Sequence, residues 1–274
     1  MAGETAAAGR KAIFITGAGS GIGRAVAQHF AARGWLVGLA DINRRGIDET
    51  AALLPSGQST GHVMDVCDRD QWAAALAEFG AASGGRLDVL FNNAGIGTGG
   101  HFPDVNPAAA DRLIAINFSG VVNGVYAALP MLKATPGAVI LNTGSASGYY
   151  GMAGLAVYSA TKHAVRALTE ALDIELARYD IKVRDLMPGF TDTPILDQNA
   201  PDSNISARDR ITGRGLEISP VTLVAEAAWQ AVHGDRLHTP VGPTARRVAF
   251  LARWLPALIV KNSRAADRLA STQR

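Results

Sequence analysis

Ser145, Tyr158 and Lys162 stand thirteen and then four residues apart, and their types together suit proton transfer at an alcohol or carbonyl oxygen. Four residues apart on a helix, Tyr158 and Lys162 share a face, so the ammonium can lie near the phenol. A phenol with a pKa of about 10 is a poor base at neutral pH. A positive charge ~4 Å away contributes up to ~4 kcal/mol at an effective dielectric of ~20, enough to lower that pKa by about three units. Ser145 could then hydrogen-bond the reacting oxygen and steady its developing charge. Taken singly, each residue also has an ordinary reading: a packed tyrosine, a solvated lysine, and a serine in the turn Asn142-Thr143-Gly144-Ser145.

Far upstream, Gly17, Gly21 and Gly23 punctuate a turn between an apolar run and an amphipathic stretch. Such a turn lets the backbone approach a pyrophosphate at the positive N-terminus of a helix. Asp41 closes the next apolar run, where a carboxylate can accept hydrogen bonds from ribose hydroxyls and repel a 2′-phosphate. This favours NAD(H) as cofactor. Arg44 and Arg45 stand close enough to pair with a phosphate, which keeps NADP(H) open, and Asp41 could simply cap a loop.

Positioning these groups requires strands that end at them. Short Val/Ile/Leu/Phe runs alternate with Ala-rich stretches, the pattern of an α/β fold with parallel strands and helical crossovers. Strands are expected at Ala12 to Thr16, Trp35 to Ala40, His62 to Val66, Leu87 to Phe91, Ala138 to Asn142 and Ile181 to Leu186, with an edge strand at Leu237 to Val241. Helices are expected at Gly21 to Ala32, across Asp111 to Tyr126 with a stop near Pro130, around Tyr158 and running to about Arg178, and at Val221 to His233. The architecture implied is a single-domain Rossmann fold, a doubly wound, mostly parallel seven-stranded sheet. Gly17, Asp41, Asp65, Asn92, Ser145 and Pro188 each follow a strand, which would gather them in one crevice. Residues 1–10 read as a flexible tail, 11–242 as the catalytic domain, Phe190 to Pro220 as a substrate lid and 243–274 as a C-terminal helical extension.

Composition limits the alternatives. The 274 residues carry a net charge of +2 without a basic stripe interleaved with aromatics, so no nucleic-acid footprint is present. Cys67 is the only cysteine, which excludes an intrachain disulfide and fits a reduced, cytoplasmic setting. The six histidines show no metal-ligand spacing, and His233 and His238 read as a solvated loop pair, so no metal is expected. The apolar stretch Val248 to Val260 is too short to span a bilayer and is interrupted by Arg253 and Pro256; it reads as a helix packed on the body or on a neighbour, or as a substrate-covering or membrane-surface element.

With these motifs in hand, the chain resembles the short-chain dehydrogenase/reductase (SDR) family from about Lys11 to about Gly242. The resemblance rests on Thr16-Gly17-Ala18-Gly19-Ser20-Gly21-Ile22-Gly23, Asn92-Asn93-Ala94-Gly95, Ser145, Tyr158-x-x-x-Lys162 and Pro188-Gly189. It implies an NAD(H)-dependent oxidoreductase acting on a secondary alcohol or ketone, with Tyr158 as general acid/base. Ser145 would hold the substrate oxygen, Lys162 the nicotinamide ribose, and Asn117 a water leading from Lys162 to solvent. It further implies that Gly19, Ser20 and Ile22 belong to the dinucleotide turn, that Asp65 and Val66 border the adenine, and that Asn93, Ala94 and Gly95 support the adenosine side. Pro188, Gly189, Phe190, Thr191 and Thr193 would lie by the nicotinamide and phosphates, and Tyr150 and Phe190 by the substrate. Tyr149, Met152, Leu155, His101 and Phe102 are expected to rim the crevice and make the substrate lipophilic. A homodimer or homotetramer is implied, although the basic C-terminal extension departs from the family's short tail. The rival readings are a non-catalytic dinucleotide sensor and, more distantly, a dehalogenase-like or epimerase-like relative.

Overall fold

Ala12–Thr16 forms β1, buried along its whole length because helices cover both faces of the sheet. Its side chains alternate accordingly: Ile13 and Ile15 enter one core, Ala12 and Phe14 the other. In the computed structural model, which describes residues 9–97, 99–197, 206–213 and 215–272, seven strands form one sheet in the order β3-β2-β1-β4-β5-β6-β7. The others are β2 (Leu36–Asp41), β3 (Ser59–Val63), β4 (Val89–Asn92), β5 (Val139–Thr143), β6 (Lys182–Pro188) and β7 (His238–Val241), every pair parallel. Order reverses between β1 and β4, which opens a crevice at the carboxyl ends of the strands.

One face of the sheet is covered by α1 (Gly21–Ala31), α2 (Arg44–Ala52) and α8 (Val221–His233), whose Phe30, Ile47 and Val224 share a core with Ile13 and Val89. The other face is covered by α3 (Arg69–Ser83), by the helical run of α4 (Pro107–Ile114) and α5 (Gly120–Lys133), and by α6 (Ala156–Leu176). Trp72, Phe79, Val125, Ala128 and Leu132 are buried there around Phe14. The run 107–133 is long and apolar enough to cross a membrane by length and composition, but its apolar stripe is part of this core.

Several boundaries differ from expectation, each for a local reason. β3 pairs with β2 from Val37↔Ser59 to Asp41↔Val63, so it ends before Asp65, whose carboxylate turns the chain by accepting from Cys67 N at 2.9 Å. The helix expected over Asp111 to Tyr126 begins at Pro107, capped by Asn106 Oδ1 accepting from Ala108 N, and continues through Pro130. That proline falls in the last turn of α5, where its carbonyl still accepts from Ala134 N. A π-helical turn, Ala115–Ser119, joins α4 to α5 and carries Asn117. His233 and His238 are not a solvated loop pair: His233 packs on Trp229 with ring centroids 4.1 Å apart, and His238 bridges buried Asp185 at 2.9 Å and Glu170 at 3.0 Å. Beyond β6 the described chain forms the short α7 (Ala207–Gly213), and after β7 it ends in two helices, α9 (Pro243–Trp254) and α10 (Pro256–Thr272). Residues 198–205 and 214 of the expected lid lie outside the described residues.

Candidate active site

A cleft of about 1840 Å³ opens over the carboxyl ends of the strands at the β1/β4 switch. At one end lies the glycine turn. Gly17 has φ +67°, and a Cβ there would come within 2.9 Å of Ala94 Cα; a Cβ on Gly23 would overlap the Gly17 carbonyl oxygen. Only glycine lets α1 start this close to β1. Ser20 is the N-cap of α1 but makes no side-chain cap, and the first turn has no acidic residue. Ser20, Gly21 and Ile22 line the cleft, so the orphan N–H groups and positive end of α1 form a cradle that fits a pyrophosphate.

Gly19 and Gly23 stand behind this rim rather than on it. Gly19 N donates to Asp41 Oδ2 at 2.9 Å, and Asn43 N donates to Oδ1 at 2.9 Å, which fixes the Asp41 carboxylate at the cleft edge. Arg44 pairs with Asp48 at 3.0 Å and Arg45 with Glu49 at 2.9 Å, so both guanidinium groups already have carboxylate partners on their own helix. Asp65, Val66 and Cys67 line the same end, with Met64, which sequence reasoning did not single out. Burial pushes the Cys67 thiol up to about 11, which keeps it a neutral thiol.

The crevice is stapled across its middle. Asn93 Nδ2 donates to Thr16 O at 2.9 Å, Thr143 Oγ1 donates to Asn93 Oδ1 at 3.1 Å, and Thr16 Oγ1 accepts from both Asn93 N and Ala94 N at 3.0 Å. One asparagine thus ties the ends of β1, β4 and β5. Ala94 and Gly95 continue the wall, and Asn117, 1% exposed, sits behind Gly95. Asn117 Oδ1 accepts from Ile96 N and its Nδ2 donates to Ile96 O, both at 2.9 Å, so the π turn fastens the loop after β4.

Ser145, Tyr158 and Lys162 meet over the end of β5. Ser145 Oγ accepts from Ser147 N at 3.1 Å, so the serine is a turn residue whose hydroxyl hydrogen is left to donate toward Tyr158. A hydrogen bond from Ser145 favours the Tyr158 phenolate, but burial outweighs it and pushes the Tyr158 pKa up. The expected lowering by Lys162 is absent. Lys162 Nζ donates to Thr143 O at 2.8 Å and lies 5.7 Å from the Tyr158 ring centroid, and desolvation of this 5% exposed amine lowers its own pKa to about 8.

Pro188 and Gly189 close β6 on the opposite wall. Phe190 O accepts from Ser219 N at 2.8 Å and Asp192 N donates to Ser219 O at 2.9 Å, which pins Phe190, Thr191 and Thr193 along the cleft. Thr193 reaches the glycine turn: its Cγ2 would lie 3.1 Å from a Cβ on Gly21. Tyr150, Met152, Leu155 and His101 line the cleft as expected. Tyr149 and Phe102 do not. Tyr149 stacks on Arg166 at 5.0 Å with burial raising its pKa to about 12, and Phe102 is 69% exposed outside it. The outer wall adds Leu216 and Arg247, Val248, Leu251 and Ile259 of the C-terminal helices. The helical spacing of Thr244, Arg247, Val248 and Leu251 is the signal that could have found them.

Comparison with known proteins agrees with this geometry. Residues 11–204 match the family model described as short chain dehydrogenase. The probable oxidoreductase EphD of Mycobacterium tuberculosis is 31% identical over 92% of this chain, yet the chain spans only 44% of that relative's length. The meso-2,3-butanediol dehydrogenase of Serratia marcescens is 34% identical over 78% of this chain and 85% of its own. Among solved structures, a short chain dehydrogenase/reductase from Burkholderia phymatum in complex with NAD aligns with a TM-score of 0.80 at 29% identity, covering 93% of this chain and 95% of that one. Fold, motif positions and the match over most of the chain carry one conclusion: the chain belongs to the short-chain dehydrogenase family.

Proposed function

We propose that this chain is an NAD(H)-dependent oxidoreductase interconverting a lipophilic secondary alcohol and its ketone, with Tyr158 as general acid/base. The observation that carries the reading is one cleft holding both an open, anion-ready helix N-terminus at Ser20–Ile22 and the Ser145, Tyr158 and Lys162 side chains. A nicotinamide dinucleotide, when bound, supplies the hydride acceptor or donor. Tyr158 Oη takes the hydroxyl proton during oxidation and returns a proton to the alkoxide during reduction. Ser145 Oγ donates to the same substrate oxygen. Lys162, held by Thr143 O, stays largely cationic at neutral pH and binds the ribose.

The oriented Asp41 carboxylate and the prior pairing of Arg44 and Arg45 support NAD(H) over NADP(H). Met152, Leu155, Leu196 and Leu216 support an apolar substrate. Exposed Tyr126 on α5 and Ile174 on α6 support pairing of two copies through these helices.

Titration with NADH and with NADPH, followed by nicotinamide absorbance against a panel of secondary alcohols and ketones, tests the proposal. NADH binding with turnover is expected. Binding without turnover across the panel would favour a dinucleotide sensor, and no binding of either dinucleotide would remove the reading altogether.

A further inference from the structure

The C-terminal helices present two different faces. Toward the cleft, α9 turns Arg247, Val248 and Leu251, and α10 turns Ile259. Away from it stand Phe250, Trp254, Leu255 and Leu258, respectively 58%, 64%, 48% and 42% exposed. Four large apolar side chains this close in sequence and this exposed form a patch that water alone covers unfavourably.

The charges from Pro243 to Ala265 are all of one sign. Pro243 to Ala265 contains Arg246, Arg247, Arg253, Lys261 and Arg264 and no aspartate or glutamate. All five cations are exposed, and none makes an ion pair among the described residues. Arg246, Phe250, Arg253 and Trp254 share a face by helical spacing, as do Leu258 and Lys261, so cations border the apolar side chains. Arg253 lies over the Trp254 ring at 5.2 Å. Pairing this face with itself across a two-fold axis would bring cation against cation, which disfavours a second copy as its cover.

We infer that α9 and α10 dock on an anionic lipid surface, with Phe250, Trp254, Leu255 and Leu258 entering the headgroup boundary and the flanking cations meeting lipid phosphates. The same helices form the outer wall of the cleft, so docking on their far side brings that wall next to the bilayer, where lipophilic molecules concentrate. The lipid contact does not depend on the redox reading.

Trp254 is the reporter. The other three tryptophans are packed: Trp72 is 0% and Trp35 5% exposed, and Trp229 is covered by Arg33 and His233. The full chain is mixed with phosphatidylcholine vesicles with or without phosphatidylglycerol, and sedimentation and tryptophan emission are read together. We expect a blue shift and roughly tenfold greater partitioning onto the phosphatidylglycerol vesicles, weakening as salt rises. Phe250→Asp with Leu258→Asp should abolish sedimentation while NADH affinity stays unchanged, since neither residue lines the cleft. Wild-type protein left in the supernatant with unshifted emission would overturn the inference, as would equal sedimentation of the double variant. If the double variant instead turns a dimer into a monomer and wild type ignores vesicles, the face belongs between copies. Loss of dinucleotide binding in wild type would strike the proposed function and leave the lipid contact standing.

Discussion

At Tyr158 and Lys162, burial and charge act in opposition, and both have measurable consequences. Tyr158→Phe keeps the ring and removes the proposed proton carrier, so turnover should fall by about 10²- to 10⁴-fold while NADH affinity changes little. Steady-state kinetics beside a binding titration check this, and near-normal turnover would take Tyr158 out of the mechanism. Lys162 carries a second prediction. Its amine falls from 10.5 to about 8 on folding because it is desolvated, so the unfolded chain binds more protons between those values. Stability contributed by this residue therefore rises with pH: the burial penalty is fully present below pH 8 and is relieved toward pH 10.5. The raised pKa of Tyr158 opposes this only above its ordinary value of 10. Lys162→Met, which removes the penalty, should stabilise the cofactor-free protein at pH 7 by up to about 3 kcal/mol, with the advantage shrinking toward pH 10. Urea unfolding of both proteins at the two pH values measures it, and a constant difference would refute the burial account.

At the scale of elements, Gly23 shows how directly a sequence motif can encode packing. Its hypothetical Cβ meets the Gly17 carbonyl oxygen, backbone against backbone, so neither neighbour can yield as a flexible side chain would. Gly23→Ala should push α1 off β1, destabilise the fold by about 1–3 kcal/mol and weaken NADH binding by at least tenfold, read by calorimetry and denaturant unfolding. Unchanged affinity in a folded variant would separate the glycine turn from the dinucleotide. What was legible in the sequence follows the same logic. β1 and α8 are bounded by residues that end them locally, and their expected limits stand. β3 is an edge strand with polar and exposed positions, so its register came from pairing with β2, which a linear reading does not contain. Pro130 misled because position within a helix, not identity alone, decides whether proline breaks it. Tyr158 and Ser145 were legible through spacing, yet the Tyr158 pKa direction was not, since desolvation and the diversion of Lys162 to Thr143 O exist only in three dimensions.

For the whole molecule, the topology makes cofactor binding a statement about global stability. The chain runs outward from β1 to β3, returns to β4 and continues to β7, so the two halves of the sheet meet at one seam. Asn93 bonds Thr16 across that seam, and within the second half the network runs from Asn93 to Thr143 and from Asn92 Nδ2 through Asn142 to Thr169 on α6. A dinucleotide lying from Asp41 to Lys162 would contact both halves and only in the folded state. Bound at a hundred times its Kd, it would add about 2.7 kcal/mol to the unfolding free energy. For a chain of this size that corresponds to a rise in Tm of roughly 5–10 °C. NADPH at the same concentration should raise Tm by less, because the fixed Asp41 carboxylate opposes a 2′-phosphate and Arg44 and Arg45 are engaged by Asp48 and Glu49. Thermal scans of wild type and Asp41→Ala with each nucleotide decide the point. The gap between the two nucleotides should narrow in the variant, and an equal gap would move cofactor discrimination away from Asp41.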